Sequence, residues 1–216
     1  RGTLQARSQF DPAQDRRHFT LFLTDLGEAF FLPRLLARLR DAAPGVTLTT
    51  LPMPDHNPQA ALERGEVDLA IGNLPDLAPG FYQQRLFREH YVAIMRPDHP
   101  LLGGAMDAER FACAHHAVVV PHGTGHSAVE QALVDRGLAA RIVLRVQNFL
   151  VLPAIVSSTD LIALVPRSAA LTLAMNHSLG QLPSPIEVPA FVVRQCWHER
   201  FHGDAAHQWL RALVAE

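Results

Sequence analysis

Residues 81–96 read FYQQRLFREHYVAIMR, Phe81 to Arg96, and this stretch decides the fold. It is strand-like from end to end, yet much longer than the five or six residues of an ordinary strand. We read it as two strands in succession with a hinge near Arg88 and Glu89. On its N-terminal side the chain alternates in type. His18–Thr24 and Val46–Leu51 have strand character, and Val67–Ile71 reads as a buried strand closed by Gly72. Between them Glu28–Arg40 repeats Phe31, Leu35, Leu36 and Leu39 at helical spacing, and Gln59–Arg64 is a short helix closed by Gly65. This β-α-β-α-β order predicts a parallel sheet covered by helices.

On the C-terminal side, after the turn Pro97-Asp98-His99-Pro100, the alternation starts again. Strands are expected at Ala117–Val120, Ile142–Val146 and Leu161–Val165, and helices at Ser127–Arg136, Leu150–Ser157 and Ser168–Met175. The Pro-rich stretch Leu182–Pro189 precedes a last strand, Phe191–Trp197, which has no helical partner in this second series. That strand is expected to return to the first unit. A terminal helix, Ala205–Val214, has Asp204 as its N-cap. Two crossovers between two α/β units describe a hinged clamshell with a ligand cleft between its lobes. The expected division is 17–88 with 191–216 as lobe I and 89–190 as lobe II, with 1–16 outside both.

The composition narrows the function. Of 216 residues 48% are hydrophobic and 19% charged, so the chain buries a core. The formal net charge is −2, far from the basic footprint of a nucleic-acid binder. Any contact with DNA is expected to lie outside this chain. The two cysteines, Cys113 and Cys196, are far apart and suggest neither a disulfide framework nor a metal site, as in a reducing cytoplasm. No apolar run has the length of a membrane span. The start, Arg1-Gly2-Thr3-Leu4, is too polar for a signal peptide and lacks Met, as expected of a piece of a longer protein.

An ordered set of short segments then resembles a known family. It comprises Phe10-Asp11-Pro12, Thr24-Asp25-Leu26-Gly27-Glu28, Phe31-Leu32-Pro33, Val67-Asp68-Leu69-Ala70-Ile71-Gly72, Gly80-Phe81, Asp98-His99-Pro100, Gly123-Thr124-Gly125-His126, Thr159-Asp160-Leu161-Ile162-Ala163 and Trp197-His198. Together they resemble the effector-binding half of LysR-type transcriptional regulators, within the subgroup that senses salicylate-like and nitroaromatic compounds, with the nodulation regulators as cousins. The resemblance implies a two-lobe, periplasmic-binding-protein-like (type 2) α/β fold and a small aromatic or carboxylate effector. It also implies a homo-oligomer, dimeric through its regulatory domains and tetrameric in full length. Promoter DNA would be bound only through an N-terminal domain absent here, residues 1–16 being the tail of the linker to it. The protein would be cytoplasmic, without a membrane partner, and would need no cofactor.

Candidate site residues follow from both readings. Thr24 sits where a strand gives way to a helix, and free backbone N–H groups gather there. The bland alternative is that Asp25 caps the helix and Thr24 merely ends the strand. The matching turn of the second unit carries Thr124 and His126, the latter able to donate, accept or carry charge. Its glycines permit close backbone approach, although one G-x-G is no dinucleotide fingerprint. The resemblance adds apolar walls from Phe30, Phe31, Phe149 and Val193 and an amide from Asn148. Glu89 falls at the first crossover, where salicylate-type relatives more often carry His or Asn. Its side chain would either enter the cleft or point to solvent.

The rival readings are enzymatic or transport-related. His198-Glu199-Arg200-Phe201-His202 satisfies H-E-x-x-H, in which two imidazoles one helical turn apart hold zinc. Here the motif follows a strand instead of lying in a helix, Gly203 cuts it short, and a third ligand is missing. A Ser/His/Asp triad has no G-x-S-x-G elbow behind it. A transport solute-binding protein shares the expected fold and stays the main alternative. No catalytic or metal-binding residue is expected.

Overall fold

The computed structural model describes residues 10–53, 58–74, 78–104, 107–120, 127–175 and 177–216. Their elements run β1 (His18–Leu23), α1 (Asp25–Ala42), β2 (Thr47–Pro52), α2 (Pro58–Arg64), β3 (Leu69–Gly72), β4 (Phe81–Glu89) and β5 (Tyr91–Met95). There follow α3 (Ala108–Cys113), β6 (His115–Val119), α4 (Ser127–Val134), β7 (Ile142–Val146), α5 (Leu152–Ser157), β8 (Leu161–Pro166), α6 (Arg167–Ala174), β9 (Gly180–Pro183), β10 (Phe191–His198) and α7 (Ala205–Ala215). Two five-stranded sheets result, ordered β2-β1-β3-β10-β4 and β7-β6-β8-β5-β9.

The two sheets are built alike. Each has a parallel trio, β2-β1-β3 or β7-β6-β8, followed by an antiparallel neighbour, β10 or β5. The long stretch at 81–96 is the crossover that its length predicts. β4 pairs with β10 in the first sheet, β5 pairs with β8 and β9 in the second, and only His90 separates them. Glu89 is the last residue of β4. The second crossover is β10, which returns to pair with β3 and β4, as its lack of a helical partner implied.

Several details depart from the sequence reading. The first helix begins at Asp25 and continues through Pro33 to Ala42, one full turn beyond its apolar repeat at the front. Two elements went unexpected, the short helix α3 and the edge strand β9. Both are brief, and a four-residue strand carries too little periodicity to announce itself. Gly65 closes α2 at φ 73°, a left-handed conformation that costs glycine little.

The core is divided as the sheets are. Phe19, Leu21, Leu35, Leu39, Leu69, Trp197 and Leu210 pack between the first sheet, α1 and α7. Phe111, Val118, Leu133 and Ile162 fill one side of the second sheet. The other side holds Ala117, Phe149, Leu152, Val156, Val165 and Leu173, and Leu26 of α1 joins this cluster from the opposite lobe.

Candidate functional site

Two helix starts and two paired strands meet between the sheets. β4 and β10 set Phe87 opposite Val193 and Glu89 opposite Phe191. Directly opposed residues of an antiparallel pair share a face, and so do residues two apart along a strand. All four side chains therefore point the same way. The register shifts between Val193 and Arg194, so that Leu86 has no partner and Arg194 meets Arg85. This bulge confines the shared face to the ends of the strands nearest the crossovers. The start of α1 adds Thr24, Leu26, Gly27, Phe30 and Phe31, the end of β3 adds Ile71 to Asn73, and the start of α6 adds Pro166 and Ser168.

The space between them is about 50 Å³. A cavity known to hold benzene measures about 150 Å³, so an aromatic ring fits only if the walls move apart. Three phenyl rings form one wall, Phe30 edge-on to Phe31 at 5.0 Å and tilted against Phe87 at 5.4 Å between centroids. The far side of the same rings floors a much larger open groove of about 590 Å³ between α1, β4 and the end of α7. The groove touches the first sheet and its helices alone. The small cavity has walls from both lobes, and a ligand biases their arrangement only where it contacts them differentially.

The polar groups of the cavity are few. Thr24 is the N-cap of α1, and its Oγ1 accepts the N–H of Gly27 at 3.1 Å. A Cβ at Gly27 would lie 3.0 Å from the Leu23 side chain, so glycine keeps this turn tight. Asp25 does not cap the helix; its Oδ2 accepts the N–H of Leu150 from the other lobe at 2.9 Å. Glu89 is only 6% exposed and its Oε2 accepts the N–H of Ser168 at 3.2 Å. Since α6 has Pro166 in the N-cap place with no side-chain cap, Glu89 satisfies one of its free first-turn amides. Beside it, burial foremost and then the Glu89 charge push the Tyr91 phenol well above its ordinary range, so it stays a neutral hydroxyl.

Of the expected site residues, Thr24, Phe30, Phe31, Glu89 and Val193 are brought together here. Asn148 lines a neighbouring depression of about 340 Å³, which Thr24 also borders, together with Asp25, Glu28, Met53 and Gln147. Phe149 is 2% exposed, in the core of the second lobe, and faces neither space. Thr124 and His126 lie outside the described residues. The sequence reading missed Phe87, Phe191, Pro166 and Ser168. The first two alternate with Glu89 and Val193 and follow once the β4–β10 register is known; nothing local marks the others.

The zinc-like motif resolves into a turn. His198 ends β10, Glu199–Phe201 is one 3-10 turn, and the His198 ring stands edge-on to Phe81 while His202 stacks on Tyr82. Phe81 and Tyr82 are adjacent in a strand and face opposite sides, so the two imidazoles do not converge. Among the described residues no group of three or more His, Cys, Asp or Glu is placed to hold a metal ion.

Comparison with known proteins agrees with this architecture. Residues 12–216 match the family model described as the LysR substrate binding domain. The transcriptional activator NahR of Pseudomonas putida is 38% identical over 214 residues, 99% of this chain and 71% of that protein. Nodulation protein D 1 of Sinorhizobium fredii is 32% identical over 212 residues, covering 96% of this chain and 64% of its own. The regulatory domain of MexT, a transcriptional activator in Pseudomonas aeruginosa, has a crystal structure with TM-score 0.80 at 27% identity, covering 92% of this chain and 98% of that one.

Proposed function

This chain belongs to the LysR substrate binding domain family, and on that footing we propose that the cavity between its sheets is where a small aromatic effector binds. The fold is the two-lobe, periplasmic-binding-protein-like type 2 architecture of LysR regulatory domains. The chain is a ligand-sensing domain of a transcription regulator, and its relatives are regulators, not enzymes. The observation that carries the site is that Thr24, Phe31, Phe87 and Val193 of one lobe face Pro166 and Ser168 of the other across a single small space. A ligand held there contacts both lobes, and its preference for one arrangement over another is a coupling free energy. We assign residues 17–89 with 191–216 to lobe I, 90–190 to lobe II and 1–16 to a linker tail; the boundary moves one residue from the sequence reading because Glu89 ends β4 in the first sheet. Thr124 and His126 are further effector contacts in this reading; Asn148 and Phe149 act from outside the cavity.

The coupling acts through an oligomer in the cytoplasm, and promoter DNA is met by a part of the protein outside this chain. Support for self-association comes from the two sheet edges. Leu36 and Leu51 on α1 and β2, and Val134 and Val143 on α4 and β7, are exposed apolar side chains on the outer elements of each lobe. Two such faces in an antiparallel pair of chains make a self-complementary contact. No described helix is long and apolar enough to cross a membrane.

The site is tested by plugging it. Ser168→Phe places a ring in the cavity while keeping the backbone N–H that Glu89 uses. Calorimetric titration with a panel of small aromatic compounds should show affinity lost by more than about tenfold, with unchanged melting. Retained affinity would overturn the assignment.

A further inference from the structure

The Glu89 carboxylate is an anion already installed in the cavity. It is almost fully buried, and among the described residues the Ser168 N–H is its one hydrogen-bond partner. A carboxylate accepts at roughly four lone-pair positions. One long bond leaves most of that capacity open to a ligand donor. Around it Phe87, Val193, Ile71 and Pro166 have no side-chain donor, and the polar side chains that line the same cavity, Thr24, Asn73 and Ser168, make no side-chain hydrogen bond to it. The charged neighbours in sequence do not help, because Arg88 and His90 are both exposed and alternate to the other side of the strand. The start of α6, where a ligand anion would be welcome, is occupied by Glu89 itself.

We propose that Glu89 selects the effector's chemistry: the cavity takes an aromatic ligand presenting a hydrogen-bond donor, such as an amide or amine, and rejects an aromatic carboxylate. The proposal rests on the reading of this cavity as the effector site. A donor group satisfies the unused oxygen positions of Glu89 while the ring replaces contacts among the phenyl side chains. A ligand carboxylate about 5 Å away would be repelled, which at an effective dielectric near 20 amounts to roughly a hundredfold in affinity.

The test uses one ring with two head groups, salicylate and salicylamide, titrated into the purified chain, Glu89→Gln, Glu89→Asp and Ser168→Phe. Glu89→Gln keeps an acceptor for Ser168 and removes the charge. The parent should bind salicylamide about a hundredfold tighter than salicylate, and Glu89→Gln should close that gap to within about tenfold. Glu89→Asp draws the charge back by one methylene, so the preference should keep its sign and shrink; an unchanged gap there counts against the proposal even if Glu89→Gln folds poorly. Tight salicylate binding that Glu89→Gln leaves alone but Ser168→Phe abolishes would overturn the role of Glu89 and leave the site standing. Binding indifferent to Ser168→Phe, or no binding of either compound at millimolar concentration, would remove the site and the proposal with it.

Discussion

The two lobes repeat one topology but satisfy their polar and apolar groups differently. Lobe I meets most of its needs locally, although its buried Gln195 Oε1 and Trp197 Nε1 have no hydrogen-bond partner among the described residues. Its leading helix α1 is capped by Thr24, the residue next to it, and its buried His207 is fully engaged. Arg211 donates to Nδ1 of that ring at 2.7 Å, so Nε2 carries the proton offered to the Asp68 carbonyl at 2.8 Å. Lobe II borrows. Its α6 takes a capping carboxylate from Glu89 at the end of the first sheet, and the Leu150 N–H takes Asp25 of α1. One of its core clusters takes Leu26 from α1, and its buried His116 has no partner for Nε2 among the described residues. The difference suggests that lobe II responds to what happens in the cleft, because its order depends on groups placed there by lobe I.

The largest expected effect follows from Leu26. Leu26→Ala should cost about 2–5 kcal/mol, the range for a large-to-small change in a core. Amide hydrogen exchange should show protection lost in β6, β8 and α5, across the cleft from the mutation. Loss confined to α1 and its own sheet would break the comparison.

Acid should act on the buried histidines His116 and His207. Burial holds His116 down to about 4 against an ordinary 6.5. The neutral ring is the folded form, so the unfolded chain binds the proton first as pH falls. Stability is then full above about 6.5, declines between about 6.5 and 4, and levels off below, a loss of about 3 kcal/mol from this residue. Burial shifts His207 in the same direction, so it adds to the slope. Denaturant melts of His116→Leu across that window should be distinctly flatter than those of the parent, and an unaltered slope would sink the assignment.

The two helix starts give a smaller contrast. Glu89→Leu strands the Ser168 N–H in a buried place and should cost about 1–3 kcal/mol. Thr24→Ala removes a local cap and should cost about 1 kcal/mol. Urea melts of both variants measure the difference, and a costlier Thr24 change would reverse the ranking. Smallest of all, Asp25→Ala gives up one exposed hydrogen bond to Leu150, about 0.5–1.5 kcal/mol, which equilibrium melts can resolve.

How much was legible in advance follows the same divide. The alternation of strands and helices, the overlong stretch at 81–96 and the unpartnered strand at 191 were enough to derive two α/β units joined twice. Local hydrogen bonding and hydrophobic period decide such features, and both are written within a few residues. Thr24 and Glu89 were recognisable as candidates because they sit at an element boundary and a crossover, whereas Phe30, Phe31 and Val193 came from the family resemblance. Phe149 looked equally eligible, yet it faces the core, since the direction of a side chain in the loop between β7 and α5 is set by packing and not by composition.

The sequence by itself determined the periodicities and the two crossovers, whereas the cap of α1 fell to Thr24 and not to Asp25. Only the tertiary structure decided that the β4–β10 register aligns Phe87, Glu89, Phe191 and Val193 on one face. It alone decided that Glu89 turns inward to the first turn of α6, 79 residues further along the chain. Register and long-range capping depend on how separate elements dock, and a bulge of one residue redirects every side chain beyond it.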